Sequence, residues 1–305
     1  MKSKKGRILI GIVLGLVILL ILPFILKDRS QNRLVGPGLS EIDYTEITFK
    51  NKSDSLTLAG MLMLPEGEGP FPVVVFIHGS GPSFRKNVWY LSVAKYLTNN
   101  GIAVVLPDKR GCEKSEGEWI GADFNHLAGD VLSAVDYVKN QNTFSYSEIG
   151  IIGMSQGGWI APVAASQSDD IDFVASMSGA IVTTDEQLVF EEINNIEPYT
   201  YKFIAKLIAP LTAHRISKMP HQKALTGFDP IPYWKQISVP VFMGYGGDDK
   251  NVPVEKCVER LKTNNLNEFQ VKVYPQGGHG IRNPETNKVS ADYLHDLVSF
   301  INSVN

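Results

Sequence analysis

The chain predicts an α/β fold, a mostly parallel sheet covered by helices on both faces. Two observations predict it. From residue 73 onward, short apolar runs alternate with longer segments of helical spacing, the pattern of strands joined by crossover helices. Several of the runs are continuous and β-branched, such as VVVFIH at 73–78, as strands buried on both faces require. A third observation modifies the fold. Residues 180–237 contain no clear buried strand; that stretch is too long for a plain connection and reads as a helical cap insertion over one end of the sheet.

The first element is Ile8–Leu26, nineteen residues without a charge. As a helix rising about 1.5 Å per residue it spans about 28 Å, close to the roughly 30 Å of a bilayer's hydrocarbon. The run exceeds the usual signal-peptide core, and no small-x-small cleavage pattern follows it. Residues 1–27 are read as a transmembrane signal anchor at the cell membrane. Lys2, Lys4, Lys5 and Arg7 ahead of the run favour a cytoplasmic N-terminus and an extracytoplasmic body. A cleaved signal peptide, with secretion, is the alternative. Residues 28–43 are polar, with Gly36, Pro37 and Gly38, and read as a linker. The folded body is 44–305.

Within the body, Tyr44–Lys50 and Leu56–Leu64 read as two strands split by the turn-like NKSDS. Strands are expected at 73–78, 102–107, 149–154, 173–178, 239–245 and 269–274. Helices are expected at 88–100, 123–140, 156–167, 254–261 and 290–303. In the 123–140 segment, Leu127, Val131, Ala134, Val135 and Val138 fall on one face.

Composition narrows the function. Residues 1–33 carry seven Lys/Arg and one Asp, so the rest of the chain carries −9 against a total of −3. A mildly acidic body has no basic footprint for nucleic acid and no general attraction to anionic lipid. Cys112 and Cys257 are too few for a disulfide framework, and no Cys/His spacing suggests a metal.

The chemistry is carried by Gly153-Met154-Ser155-Gln156-Gly157, a G-x-S-x-G placed directly after a buried strand and before a helix. A sharp turn there lifts the serine Oγ clear of the sheet, and the following helix aims its first N–H groups at developing negative charge. A serine needs a base. His279, in GGHG after the final strand, lies at the same carboxyl edge of the sheet. His126, His214, His221 and His295 read as surface or packing residues, with His214 or His221 as possible pocket residues from the cap. The base needs a carboxylate to hold its tautomer. Asp249 in YGGDDKNVP is the choice, with Asp248 the runner-up. Two backbone donors should receive the oxyanion: the N–H of Gln156, and that of Ser80 in His78-Gly79-Ser80-Gly81-Pro82, with Gly79 as runner-up. His78 reads as bracing that loop.

HGSGP, the loop PDKRGCEKS, GMSQGGW, FDPIPYW, GGDDKNVP and GGHG occur in that order. Together they resemble the α/β-hydrolase superfamily, most nearly its bacterial prolyl-oligopeptidase-like and acyl-thioesterase-like branches, over about residues 44–303. The resemblance implies an eight-stranded sheet, a catalytic triad of Ser155, Asp249 and His279, oxyanion donors at Ser80 and Gln156, and no cofactor. One departure is Glu113, where relatives often have glycine; it leaves the charge of the pocket entrance open. No counterpart of the β-propeller of true prolyl oligopeptidases is expected within these residues.

The expected activity is hydrolysis of small-molecule carboxylic esters or thioesters through an acyl-enzyme on Ser155. Phe190, Tyr199, Tyr201 and Phe203 in the cap suggest an apolar acyl pocket, or else the cap's own core. A small membrane-tethered serine peptidase is the alternative, and a catalytically dead scaffold a remoter one. Oligomeric state is not readable.

Overall fold

The computed structural model describes residues 10–15, 18, 22–23 and 33–304. Most of the expected span 8–26 therefore lies outside the described residues. Among those described, no helix is long and apolar enough to cross a membrane.

Eight strands form one sheet: β1 Thr45–Asn51, β2 Leu56–Met63, β3 Phe71–Ile77, β4 Ala103–Pro107, β5 Tyr146–Met154, β6 Phe173–Met177, β7 Val241–Gly246 and β8 Gln270–Tyr274. Their spatial order is β1-β2-β4-β3-β5-β6-β7-β8. The β1–β2 and β2–β4 pairs are antiparallel and all others parallel. Alternation along β3 shows why its run is apolar throughout. Val73, Val75 and Ile77 enter one core, and Val74 and Phe76 enter the other. Each buried side chain of this size contributes about 1.5–3 kcal/mol.

The first core is closed by α2 Phe124–Asn140, α3 Gly157–Ala165 and α8 Val254–Thr263; the second by α1 Val88–Asn99 and α9 Ala291–Asn302. Asn87 caps α1 and Asp123 caps α2, each side chain accepting an N–H of the first turn. The insertion between β6 and β7 is helical, as expected: α4 Thr184–Ile196, α5 Lys202–Ile216, α6 Pro220–Lys223 and α7 Ile231–Trp234. Thr183 and Glu186 form a capping box at the start of α4.

Two expectations are corrected. β5 begins at Tyr146 rather than 149, because Phe71 of β3 pairs with Tyr146 ahead of a register shift. The segment expected as a linker packs onto the body from residue 34. Ile42 is buried, Leu34 and Leu39 pack against the second core, and the Val35 N–H donates to the Asn287 carbonyl at 2.8 Å. The scattered apolar residues of that polar stretch are what hold it down.

Candidate active site

Ser155 sits between β5 and α3 with φ +52°, a left-handed conformation unusual for a residue with a Cβ. Its strain is held by its surroundings. The Ser155 N–H donates to the Met177 carbonyl and its carbonyl accepts from Gly158 N–H, both at 2.8 Å. The glycines are required by space. A Cβ on Gly153 would lie 2.2 Å from the Gly157 carbonyl oxygen, and one on Gly158 would lie 2.5 Å from the Gly179 Cα.

Asp249 follows β7, with its side chain fully shielded from solvent. Its Oδ1 accepts the N–H groups of Asn251 at 2.7 Å and Val252 at 3.1 Å. Its Oδ2 accepts from His279 Nδ1 at 2.8 Å. That bond places the proton on Nδ1 and leaves Nε2 as a lone-pair acceptor. Asp248, the runner-up, instead accepts the Gly278 N–H at 2.6 Å and ties down the His279 loop. The structure thus pairs Asp249, not Asp248, with the imidazole.

Ser155 and His279 line one cavity of about 290 Å³, together with Ser80 and Gln156. Gly79 has its N–H engaged by the Tyr90 hydroxyl at 2.8 Å. The N–H groups of Ser80 and Gln156 meet no acceptor among the described residues. Those two are therefore open to a ligand oxygen and Gly79 is not. His78 braces the loop: its Nε2 lies 2.6 Å from the Pro107 carbonyl. Burial, with Lys109 nearby, pulls His78 down to about 3, so it stays neutral.

Three groups behind this loop were not singled out from the sequence. Tyr90 is one. Arg85 is another, gripping Asp108 through Nε at 2.8 Å and Nη2 at 2.7 Å and reaching Glu46 of β1 at 2.6 Å. The third is Lys109, whose Nζ donates to the carbonyls of Gly79 at 2.5 Å and Gly81 at 2.7 Å. The signal for Lys109, and for Asp108 that holds Arg85, lay in PDKRG, where charges follow a buried strand too closely to be a solvated face.

The expected apolar acyl pocket is corrected. None of Phe190, Tyr199, Tyr201 and Phe203 lines the cavity, and Phe203 is 71% exposed. The insertion contributes Gln187, Leu188 and Glu191 from α4 and Gln222 from α6, facing Asn87 and Asn251. Glu191 accepts from Gln187 at 3.0 Å and Asn251 at 3.1 Å. No cation pairs with it among the described residues. His221 lines a side recess against Ser80 and Gln156, whereas His214 is exposed on α5 and borders neither cavity. Glu113 also stands outside the cavity. It has φ +50°, a left-handed conformation that favours glycine, and accepts the Arg85 N–H at 3.1 Å.

The fold recurs in an esterase from Pyrococcus furiosus, with a TM-score of 0.66 at 22% identity, covering 90% of this chain and 97% of that one. It recurs in an acylaminoacyl peptidase from Pyrococcus horikoshii, with a TM-score of 0.62 at 18% identity, covering 85% of this chain but 41% of that one. By sequence the chain is 26% identical to dipeptidyl aminopeptidase BIII of Pseudoxanthomonas mexicana over 255 residues, 77% of this chain and 35% of that protein. It is 27% identical to esterase EstD of Thermotoga maritima over 223 residues, 67% of this chain and 53% of that protein. The chain thus spans between a third and about half of the length of these two relatives. The profile described as the prolyl oligopeptidase family matches residues 88–304. With the elbow serine on an eight-stranded α/β sheet and a match over well more than half its length, the chain belongs to the prolyl oligopeptidase family, within the α/β-hydrolase superfamily of serine hydrolases.

Proposed function

We propose that the chain hydrolyses carboxylic esters or thioesters by two-step acyl transfer on Ser155. The observation that carries the reading is the His279–Asp249 hydrogen bond on a shielded carboxylate, which leaves Nε2 free beside the cavity that Ser155 lines. Ser155 Oγ bonds to the substrate carbonyl carbon as its proton passes to His279 Nε2. The carbonyl oxygen, now negative, takes the N–H groups of Ser80 and Gln156. Collapse breaks the bond to the leaving alkoxide or thiolate, which takes the proton from His279. Water then releases the acyl group by the same steps in reverse order of partners. Asp249 holds the tautomer and offsets the imidazolium charge.

The cavity walls favour a small or polar acyl group over a long alkyl chain. The test is labelling of the full chain by a fluorophosphonate, together with turnover of short aryl esters. Loss of both in Ser155→Ala supports the assignment. An unlabelled wild-type chain would favour the dead scaffold.

A second reading, a small peptidase, is favoured by Glu191. A cavity carboxylate held by two amides and by no cation among the described residues suits a substrate with a free amine near the scissile bond. Comparing an aminoacyl anilide with its N-acetylated form separates the two. We also propose that residues 8–26 tether the chain to a membrane, on the length and charge-free character of that run. Carbonate extraction of membranes from expressing cells tests it, a fully extractable chain counting against it.

A further inference from the structure

The net charge of the body conceals a local reversal. From residue 198 to residue 228 there are four lysines and one arginine and no Asp or Glu. None of these five cations pairs with a carboxylate among the described residues. The stretch is centred on α5, whose two sides are inverted relative to an ordinary surface helix. Ala205, Ala209 and Ala213, spaced by four, turn inward and are buried. Phe203, Leu207 and Leu211, also spaced by four, are 71%, 76% and 69% exposed. Ile208 beside them and Met219 beyond the helix are exposed too. A helix facing water should carry its large apolar groups inward, and a stripe of this kind marks a contact surface.

We infer that the apolar stripe of α5 docks on an anionic lipid bilayer. Charge complementarity selects this occupant. Lys202, Lys206, Arg215 and Lys218 flank the stripe. Basic residues beside exposed Phe and Leu on one helix are the requirement for lying in a negatively charged interface. A second copy of the chain is disfavoured by the same charges, since a two-fold contact would bring each basic set against its twin. Docking would also orient the active site. α5 packs on α4, and α4 lines the catalytic cavity with Gln187, Leu188 and Glu191. The inference holds whichever bond the site cleaves.

The test places an environment-sensitive dye on Leu207→Cys in the full chain. Cys112 and Cys257 are buried, so labelling falls on the new thiol. A second sample carries the dye on Glu255→Cys, an exposed position of α8. Both are reconstituted in phosphatidylcholine vesicles with and without about 30% phosphatidylglycerol, which sets the surface potential. The expected result is blue-shifted emission and quenching by lipid-borne doxyl groups at position 207 only. It should appear with anionic lipid, fade at high salt, and be largely lost in a Lys202→Glu, Lys206→Glu background. A dye at 207 that only aqueous quenchers reach would overturn the inference. So would a dye shielded from both quenchers, which means that protein covers the stripe, or one quenched equally without anionic lipid. Unchanged ester turnover in the labelled chain verifies its fold.

Discussion

Replacing Lys109 with Met should separate activity from stability. The ammonium is buried among groups that include no carboxylate, and burial pulls it from 10.5 down to about 8. That drop corresponds to about 3 kcal/mol spent keeping the charge inside. Against it stand the two bonds to the Gly79 and Gly81 carbonyls, about 1.5–3 kcal/mol each for a charged donor. A methionine keeps the apolar stem and its place near Trp119. The terms largely cancel, and the variant should lose about 2 kcal/mol of stability or less. Activity has no such offset. The clamped loop presents the Ser80 N–H, and losing an oxyanion donor outright costs about 10²–10³ in rate. A loosened donor should cost about 10–10², expressed in kcat rather than KM. The assay is kcat and KM on a short aryl ester from pH 6 to 10, beside a calorimetric Tm. Wild-type turnover should fall above about pH 8 as Lys109 loses its proton. The Met variant should lack that limb, and Lys109→Arg should recover much of the rate and move the fall to higher pH. Between about 8 and 10.5 the unfolded chain holds more protons at this residue than the folded one. Its contribution to stability therefore rises with pH in that window while turnover falls. Wild-type kcat in Lys109→Met, with the same alkaline limb, would refute the clamp.

Asp249→Asn should leave the fold intact and reduce kcat by about 10⁴ through the wrong imidazole tautomer, measurable by burst and steady-state kinetics; a loss under tenfold would point to Asp248 instead. Ser155→Gly should abolish turnover while raising Tm or leaving it unchanged, because the left-handed φ no longer opposes a Cβ; a fall of several degrees contradicts the strain argument. Glu191→Gln should cut the preference for a free-amine anilide over its acetylated form about tenfold, as loss of one ion pair in a partly dry site implies; an unchanged ratio removes the support for the peptidase reading. Gly158→Val should prevent folding in cells, judged by the soluble yield, since its first carbon already lies 2.5 Å from the Gly179 backbone.

The sheet was legible because its strands are short, apolar and punctuated. The order of G-x-S-x-G, DD and GGHG was legible because each motif ends a strand at one rim. What escaped was of two kinds. The role of Tyr90 and Lys109 depends on where side chains from α1 and the β4 loop converge, and no local spacing encodes that. The insertion is helical as expected, but which of its faces turns inward was misread, for a different reason. In YTYKFIAKLIAPLTAHRI, the aromatic and aliphatic positions repeat every four residues, but so do the alanines. Periodicity alone cannot say which stripe turns inward, and the smaller one does, because it lets α5 approach α4 closely. The cavity walls then come from polar positions of α4 that a hydropathy reading assigns to solvent.

His279 hangs from a loop that follows β8, the sheet's edge, which pairs with β7 alone and leaves several of its residues open to water. Ser155 directly follows β5, in the sheet's interior. Proposed nucleophile and proposed base thus belong to regions of unequal cooperativity, and the outer one can detach at a free-energy cost well below that of melting the whole sheet. Warming should disarm such an enzyme reversibly, through fraying of one border, before calorimetry registers any transition.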